Sequence, residues 1–202
     1  MKIICLDLEG VLVPEIWIEF SKATGIAELR RTTRDEPDYD KLMLFRLDLL
    51  DKNNLKLADI QNVIAKMDVL EGALEFTQKI RGQTQLIILS DTYEEFARPL
   101  MKKLNWPTLF CNSLEVNSRG SITGYKLRQK NGKMEAVKSL KTMNMKVFAA
   151  GDSFNDLAML ENADEGCLFR ATEKIRRDFP KFPCVDAYDD LYEKIERFLQ
   201  KK

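Results

Sequence analysis

The sequence predicts an α/β fold, a doubly wound parallel sheet with a small all-helical insert directly after its first strand. Three observations carry that expectation. Three apolar runs of strand length each end in polar residues, helical periodicity follows the later two, and residues 14–74 keep helical spacing with no convincing strand.

The first run, Lys2 to Leu8, leads into acids at Asp7 and Glu9. The insert follows, with breaks at Gly25, Pro37 and Asn53-Asn54. The expected division is therefore a core of residues 1–13 and 75–202 with a helical cap of residues 14–74, placed beside the strand ends where it can act as a lid. Gln85 to Leu89 leads to Ser90 and Asp91, and a helix with Phe96, Leu100 and Leu104 on one stripe follows. Leu114 to Val116 and Ile122 to Tyr125, joined through Arg119-Gly120, suit a small hairpin. Lys146 to Ala150 leads to Gly151 and Asp152, and Leu157, Leu160 and Ala163 mark the next helix. Glu165 to Phe169 is a further strand, and Leu191, Ile195, Phe198 and Leu199 define a closing amphipathic helix.

Composition narrows the chemistry. The 202 residues hold 32 lysines and arginines against 32 aspartates and glutamates, so no global field draws the chain to nucleic acid or an anionic membrane. The Lys102-Lys103 and Lys201-Lys202 pairs and the Arg30, Arg31 and Arg34 cluster are expected on solvated faces. Cys5, Cys111, Cys167 and Cys184 lack C-x-x-C spacing and are expected to be buried thiols in a reducing compartment, which with the short, interrupted apolar start implies a cytoplasmic protein. Histidine is absent, which excludes Ser-His-Asp and Cys-His nucleophilic systems and histidine-based zinc sites. Chemistry must rest on carboxylates, hydroxyls and lysine.

In open parallel sheets ligands bind outside the carboxyl ends of the strands, and three strands here deliver acids or hydroxyls to that edge. On an extended segment Asp7 and Glu9 point the same way, so both carboxylates can face one substrate. In Gly151-Asp152-Ser153-Phe154-Asn155-Asp156, Ser153 or Asn155 is placed to cap a helix while the acids approach a cation. Magnesium needs several oxygen ligands and keeps some water, so Asp7, Asp152 and one backbone carbonyl would suffice. A carboxylate can serve as nucleophile in phosphoryl transfer, with a hydroxyl such as Ser90 and a lysine such as Lys133 completing a phosphate cradle; one lysine among many is also an ordinary surface charge.

Four segments in order, Cys5 to Leu12, Leu89-Ser90-Asp91-Thr92, Lys133 and Gly151 to Asp156, resemble the motifs of the haloacid-dehalogenase-like superfamily, whose core is Rossmann-like. The resemblance spans essentially the whole chain and is closest to the phosphoserine phosphatases, whose helical cap follows the first motif. The phrases Asp7 to Trp17 and Leu127-Arg128-Gln129-Lys130 look closer still to a bifunctional subgroup, phosphoserine phosphatase and phosphoserine:homoserine phosphotransferase. By that resemblance Asp7 is the nucleophile and Glu9 the general acid and base; Asp7, the Glu9 carbonyl and Asp152 hold magnesium. Ser90 and Lys133 would bind the phosphoryl group, Asp91 and Asn155 would belong to the substrate site, and Asp156 would support Lys133 or the metal shell. The superfamily mostly has aspartate where Glu9 stands, one methylene shorter.

The insert bears on the substrate. On the helix that Asp38 is placed to cap, Arg46 shares a stripe with Tyr39, Leu42, Met43, Leu49 and Leu50, and an inward arginine needs an anion: a substrate group or a core acid. Glu15, beside Pro14, suits an ammonium, or simply the first turn of a helix. Together with the phosphate cradle these match L-phosphoserine, and the resemblance implies the same roles for both residues. L-Homoserine is the candidate second acceptor; oligomeric state is left open, a homodimer being one option. Rival expectations are another small phosphomonoester, a receiver-like phosphoryl-binding module, or a catalytically retired member of the superfamily. No G-x-x-x-x-G-K-[ST] loop is present, since Gly132-Lys133 lacks its other residues.

Overall fold

The computed structural model describes residues 1–32, 35, 36 and 38–201. The expected break at Pro37, and Arg34 and Lys202 of the basic groups, lie outside the described residues.

The core is a seven-stranded sheet in the order β4-β3-β2-β1-β5-β6-β7, formed by β1 (Lys2–Leu6), β2 (Gln85–Tyr93), β3 (Thr108–Val116), β4 (Ile122–Lys126), β5 (Lys146–Gly151), β6 (Glu165–Phe169) and β7 (Cys184–Val185). All neighbours are parallel except β3 and β4, the expected hairpin. Its turn is tied by the Asn117 carboxamide oxygen, which accepts the Arg119 and Ser121 N–H groups at 2.9 and 3.1 Å. Alternation along β1 sends Ile3 and Cys5 to one face and Ile4 and Leu6 to the other, and both faces are buried. A strand apolar on both sides needs helices above and below. Helices α6 (Gly132–Thr142), α7 (Leu157–Asn162) and α8 (Glu173–Asp178) cover one face. The other lies under α4 (Ala73–Arg81), α5 (Glu94–Lys103) and α9 (Tyr188–Gln200).

Strand order decides where a ligand can go. The chain steps outward from β1 to β2 and β3, then crosses to β5 on the other side of β1. That reversal opens a crevice at the carboxyl end of β1, the general position of ligand sites in such sheets.

Residues after β1 form α1 (Ile16–Thr24), a 3-10 turn (Ala27–Arg30), α2 (Tyr39–Lys52) and α3 (Leu57–Lys66). α4 opens at Ala73, within the last residues of the expected insert, and packs on β2 and α9. As expected, the Asp38 carboxylate caps α2, accepting the Lys41 N–H at 3.1 Å. The helical segment is seated on the core at two points. Pro99 lies inside α5 and offers no N–H to the Glu95 carbonyl one turn earlier; the Gln61 carboxamide of α3 donates to that oxygen at 3.0 Å instead. At the hairpin tip, the Gly120 carbonyl accepts the Leu57 N–H at 3.0 Å.

Two expectations about single residues need correction. Only Cys5 and Cys167 are buried; Cys111 and Cys184, at strands toward the sheet edges, are partly exposed. Lys103 is not simply solvated, because its ammonium meets the Asp68 carboxylate at 2.7 Å and the Met67 carbonyl. Among the described residues no helix is long and apolar enough to cross a membrane.

Candidate active site

The floor of the crevice is built where β1 and β5 end. Asp7 follows β1 and its N–H donates to the Ala150 carbonyl at 3.0 Å, which holds the residue against β5. Lys133, on the first turn of α6, is only 5 % exposed and is the cation of the cluster. Its ammonium donates to Asp7 Oδ1 at 2.8 Å and to Asp156 Oδ1 at 2.7 Å, and lies 3.7 Å from Asp91 Oδ2. The other oxygen of Asp156 accepts the N–H groups of Asp152 and Ser153 at 3.0 and 3.1 Å. Of the two residues expected to cap here, Ser153 takes the cap position of the short turn Phe154–Asp156, and Asp156 reaches back to its backbone to complete a capping box.

Charge makes this floor unusual. One carboxylate oxygen from each of Asp7, Asp152 and Asp156 lies within 4.8 Å of the other two, and all three residues are buried. Burial, reinforced by the Asp156 charge, pushes Asp7 well above the usual carboxylate range despite Lys133. Burial also works against the Lys133 charge, yet Asp156, Asp7 and Asp91 hold it above the ordinary lysine value. Such a surplus of buried negative charge fits a hard divalent cation bound through oxygen, in a chain without histidine. Two glycines make room for the acids. A Cβ on Gly10, whose φ is +78°, would lie 2.6 Å from Asp152 Oδ2, and one on Gly151 would collide with the Asp156 carboxyl.

Glu9 approaches from the other side. The extended geometry expected to align it with Asp7 ends at Leu6; a turn continues the chain, closed by the Glu9 and Val13 bridge. Both acids nevertheless line one cleft. Glu9 Oε2 accepts the Ile16 N–H at 2.8 Å. Burial, with the Glu15 charge second, raises Glu9 to about 7 against the opposing pull of the Ile16 N–H, Arg46 and Thr92. A carboxyl poised near neutrality can give and take a proton. Ser90 is buried in the carboxyl-terminal half of β2, its Oγ accepting the Thr92 N–H at 3.2 Å. Asp91 beside it accepts the Asn155 carboxamide at 2.9 Å.

Helices α1 and α2 form the roof. Arg46 is 6 % exposed, its guanidinium carbon 4.5 Å above the Trp17 ring. One Nη donates to the Arg31 carbonyl at 2.7 Å and the other faces Met43 Sδ at 3.7 Å, while the buried Nε has no hydrogen-bond partner among the described residues. Glu15 stands at the start of α1 and lines the same cleft. Every residue singled out from the sequence for this site reaches the cleft except Asp156, which lies beneath its floor. Trp17, Tyr39, Thr92 and Tyr93 also line it. Tyr39 lies on the apolar stripe with Arg46, where its ring reads as core; Thr92 and Tyr93 continue a strand predicted to stop earlier.

The model of haloacid dehalogenase-like hydrolases matches residues 1–164. The chain belongs to the haloacid dehalogenase-like hydrolases. Within this family it is 54 % identical over 191 residues to phosphoserine phosphatase ThrH of Pseudomonas aeruginosa, covering 95 % of this chain and 93 % of that protein. A phosphoserine phosphatase of Pseudomonas syringae pv. tomato is 52 % identical, covering 95 % of this chain and 81 % of that one. Among solved structures, a phosphoserine phosphatase in its apo form superposes with a TM-score of 0.77 at 22 % identity, covering 96 % of this chain and 98 % of the other. That likeness concerns the fold, and it agrees with the doubly wound hydrolase core described above.

Proposed function

We propose that this hydrolase is a magnesium-dependent phosphatase acting on L-phosphoserine, able also to pass the phosphoryl group to L-homoserine. The observation that carries the reading is the orphaned Nε of Arg46, buried in a cleft it shares with Glu15 and the Asp7 floor. A buried donor left unpaired costs roughly 1–3 kcal/mol, and a substrate carboxylate would satisfy it. Glu15 supplies the counter-charge for an ammonium, and Lys133 and Ser90 flank the place for a phosphoryl group. The names of the two Pseudomonas relatives agree with this choice. Residues 14–74 act in this reading as the cap that selects the head group, over a core of residues 1–13 and 75–202.

The residues have these roles. Asp7 and Asp152, with the Glu9 carbonyl, would hold magnesium, whose charge would offset that of the phosphate oxygens. Asp7 bonds to phosphorus as the bond to the serine oxygen breaks, and Glu9 gives its proton to that oxygen. Lys133, steadied by Asp156, and Ser90 hold the phosphate oxygens, while Asp91 orients Asn155 toward the substrate. Glu9 then takes a proton from the attacking hydroxyl, of water or of homoserine, and Asp7 departs as a carboxylate. Which acceptor wins depends on how completely α1 and α2 exclude water.

Incubation of the purified protein with magnesium and L-phosphoserine, with and without L-homoserine, tests the reading. Serine and inorganic phosphate are expected, with O-phosphohomoserine replacing part of the phosphate when homoserine is present. Phosphate alone would remove the transferase, and no turnover would remove the substrate assignment. Arg46→Ala should lower selectivity for phosphoserine over a phosphate monoester without an amino-acid head on the order of 10²-fold; unchanged selectivity would defeat the docking scheme.

A further inference from the structure

Tyr39 opens α2, the helix that presents Arg46 two turns later. Its hydroxyl lies 3.2 Å from the Asp91 carbonyl oxygen and 2.7 Å from the Tyr93 hydroxyl. The carbonyl has no proton to give, so Tyr39 must donate to it. That commits the single hydroxyl proton of Tyr39, and Tyr93 must therefore donate to Tyr39. The bonds run in one direction, Tyr93 to Tyr39 to Asp91.

The receiving peptide is central to the site. The Asp91 carbonyl also accepts the Asn112 carboxamide at 3.0 Å, and its carboxylate holds Asn155. On one side of it is Ser90; on the other is Thr92, which lines the cleft together with Glu9. Tyr39 thus fastens the helix carrying the carboxylate anchor to the segment carrying the phosphoryl-binding hydroxyl. A second fastening beside it, the Tyr125 hydroxyl on the Asp40 carboxylate, ties the same end of α2 to β4, with the Tyr125 ring beside that of Tyr93. Burial raises both Tyr39 and Tyr93 beyond the usual phenol range, so both keep their protons.

We propose that Tyr39 is a positioning residue that sets the distance between the Arg46 anchor and the Ser90–Thr92 segment, and so governs selectivity for substrates spanning both. The inference rests on the phosphoserine reading. It does not follow from burial alone, because the direction of the bonds makes the two tyrosines unequal. Tyr39→Phe removes the tie to Asp91 and also strands the Tyr93 proton. Tyr93→Phe leaves the tie to Asp91 in place.

The experiment measures kcat/KM of wild type, Tyr39→Phe, Tyr93→Phe and Arg46→Ala, and of Tyr39→Phe with Arg46→Ala, on L-phosphoserine and on p-nitrophenyl phosphate. Phenylalanine retains the edge contact of ring 39 with Tyr125, and melting curves confirm folding. Tyr39→Phe is expected to lose about tenfold on phosphoserine and no more than about twofold on the headless ester. Tyr93→Phe should lose less, and Tyr39→Phe should cost little selectivity once Arg46 is gone. Equal losses on both substrates, a Tyr93→Phe defect as large as that of Tyr39→Phe, or additivity with Arg46→Ala would each overturn the inference. A wild type with no preference for phosphoserine overturns the substrate reading and this inference together; a wild-type preference left intact in Tyr39→Phe overturns this inference alone.

Discussion

The cleft at the carboxyl ends of β1, β2 and β5 can be set against a second hollow along the outer edge of β3. The second is the larger, about 670 Å³ against about 90 Å³. It exists because β4 pairs only with Ser113–Val116, leaving Thr108–Asn112 without a strand partner on the outer side. Trp106, Leu109, Phe110 and Leu127 line it, with Arg98 and Arg128 at its margin. Arg128 lies 5.1 Å over the Phe110 ring and donates to the Gly132 carbonyl at 3.2 Å, so part of its bonding is already spent. The small cleft is tight because two helices sit on it, and it gathers buried acids, a buried lysine and a buried arginine with an orphaned nitrogen. Volume marks where packing stops; unbalanced charge and unmet hydrogen bonds mark where something is meant to bind.

Four measurements would break or sharpen that contrast. The largest effect is expected from Asp7→Asn, which keeps the shape of the floor but removes the proposed nucleophile; turnover should fall on the order of 10⁴-fold or more, read as product per enzyme at saturating substrate. Substantial residual turnover would mean that the small cleft is not the reacting one. Exhaustive chelation should come next, abolishing turnover until magnesium is returned, whereas full activity in chelator would separate the acid cluster from any metal role. Lys133→Met should leave the buried Asp7 and Asp156 carboxylates without the ammonium they share and destabilise the fold by about 3–5 kcal/mol in metal-free denaturant titrations. A near-neutral result there would show that the acids are protonated or relaxed in the folded protein. The smallest effect belongs to the larger hollow. Trp106→Ala with Arg98→Ala should change kcat/KM by less than about twofold, as for surface changes away from the chemistry; a tenfold change would put the edge of β3 in contact with function.

Much of this was legible in the sequence, for identifiable reasons. Lys146 to Ala150 and Gln85 to Leu89 are apolar on both faces, and only a sheet covered on both sides accommodates such runs. Asp7, Ser90 and Asp152 could be assembled because strand ends in a parallel sheet share one edge. Arg46 was legible from periodicity, since a cation on an apolar stripe needs an explanation. Less legible were features set by contacts distant in the chain. The turn that carries Glu9 into the cleft after β1 ends at Leu6 depends on the Glu9 and Val13 bridge. That Asp156 completes the cap begun by Ser153 depends on Lys133 approaching from another helix. Trp17 and Tyr39 look like core in any periodicity plot; their roles arise only when α1 and α2 are laid over β2. Cys111 and Cys184 misled because apolar neighbours in sequence do not bury a residue near a sheet edge.

The two glycines beside the acids have a consequence for comparing related chains. A protein could keep Asp7, Lys133, Asp152 and Asp156 and still carry a side chain in place of Gly10 or Gly151; a tally of charged residues would pass it as intact. The carboxyl groups could not then keep the positions seen here, because the added carbon would come within 2.6 Å of an Asp152 oxygen or 2.3 Å of the Asp156 carboxyl carbon. Telling working relatives from inherited likenesses therefore depends as much on two residues with no functional group as on the four that have one.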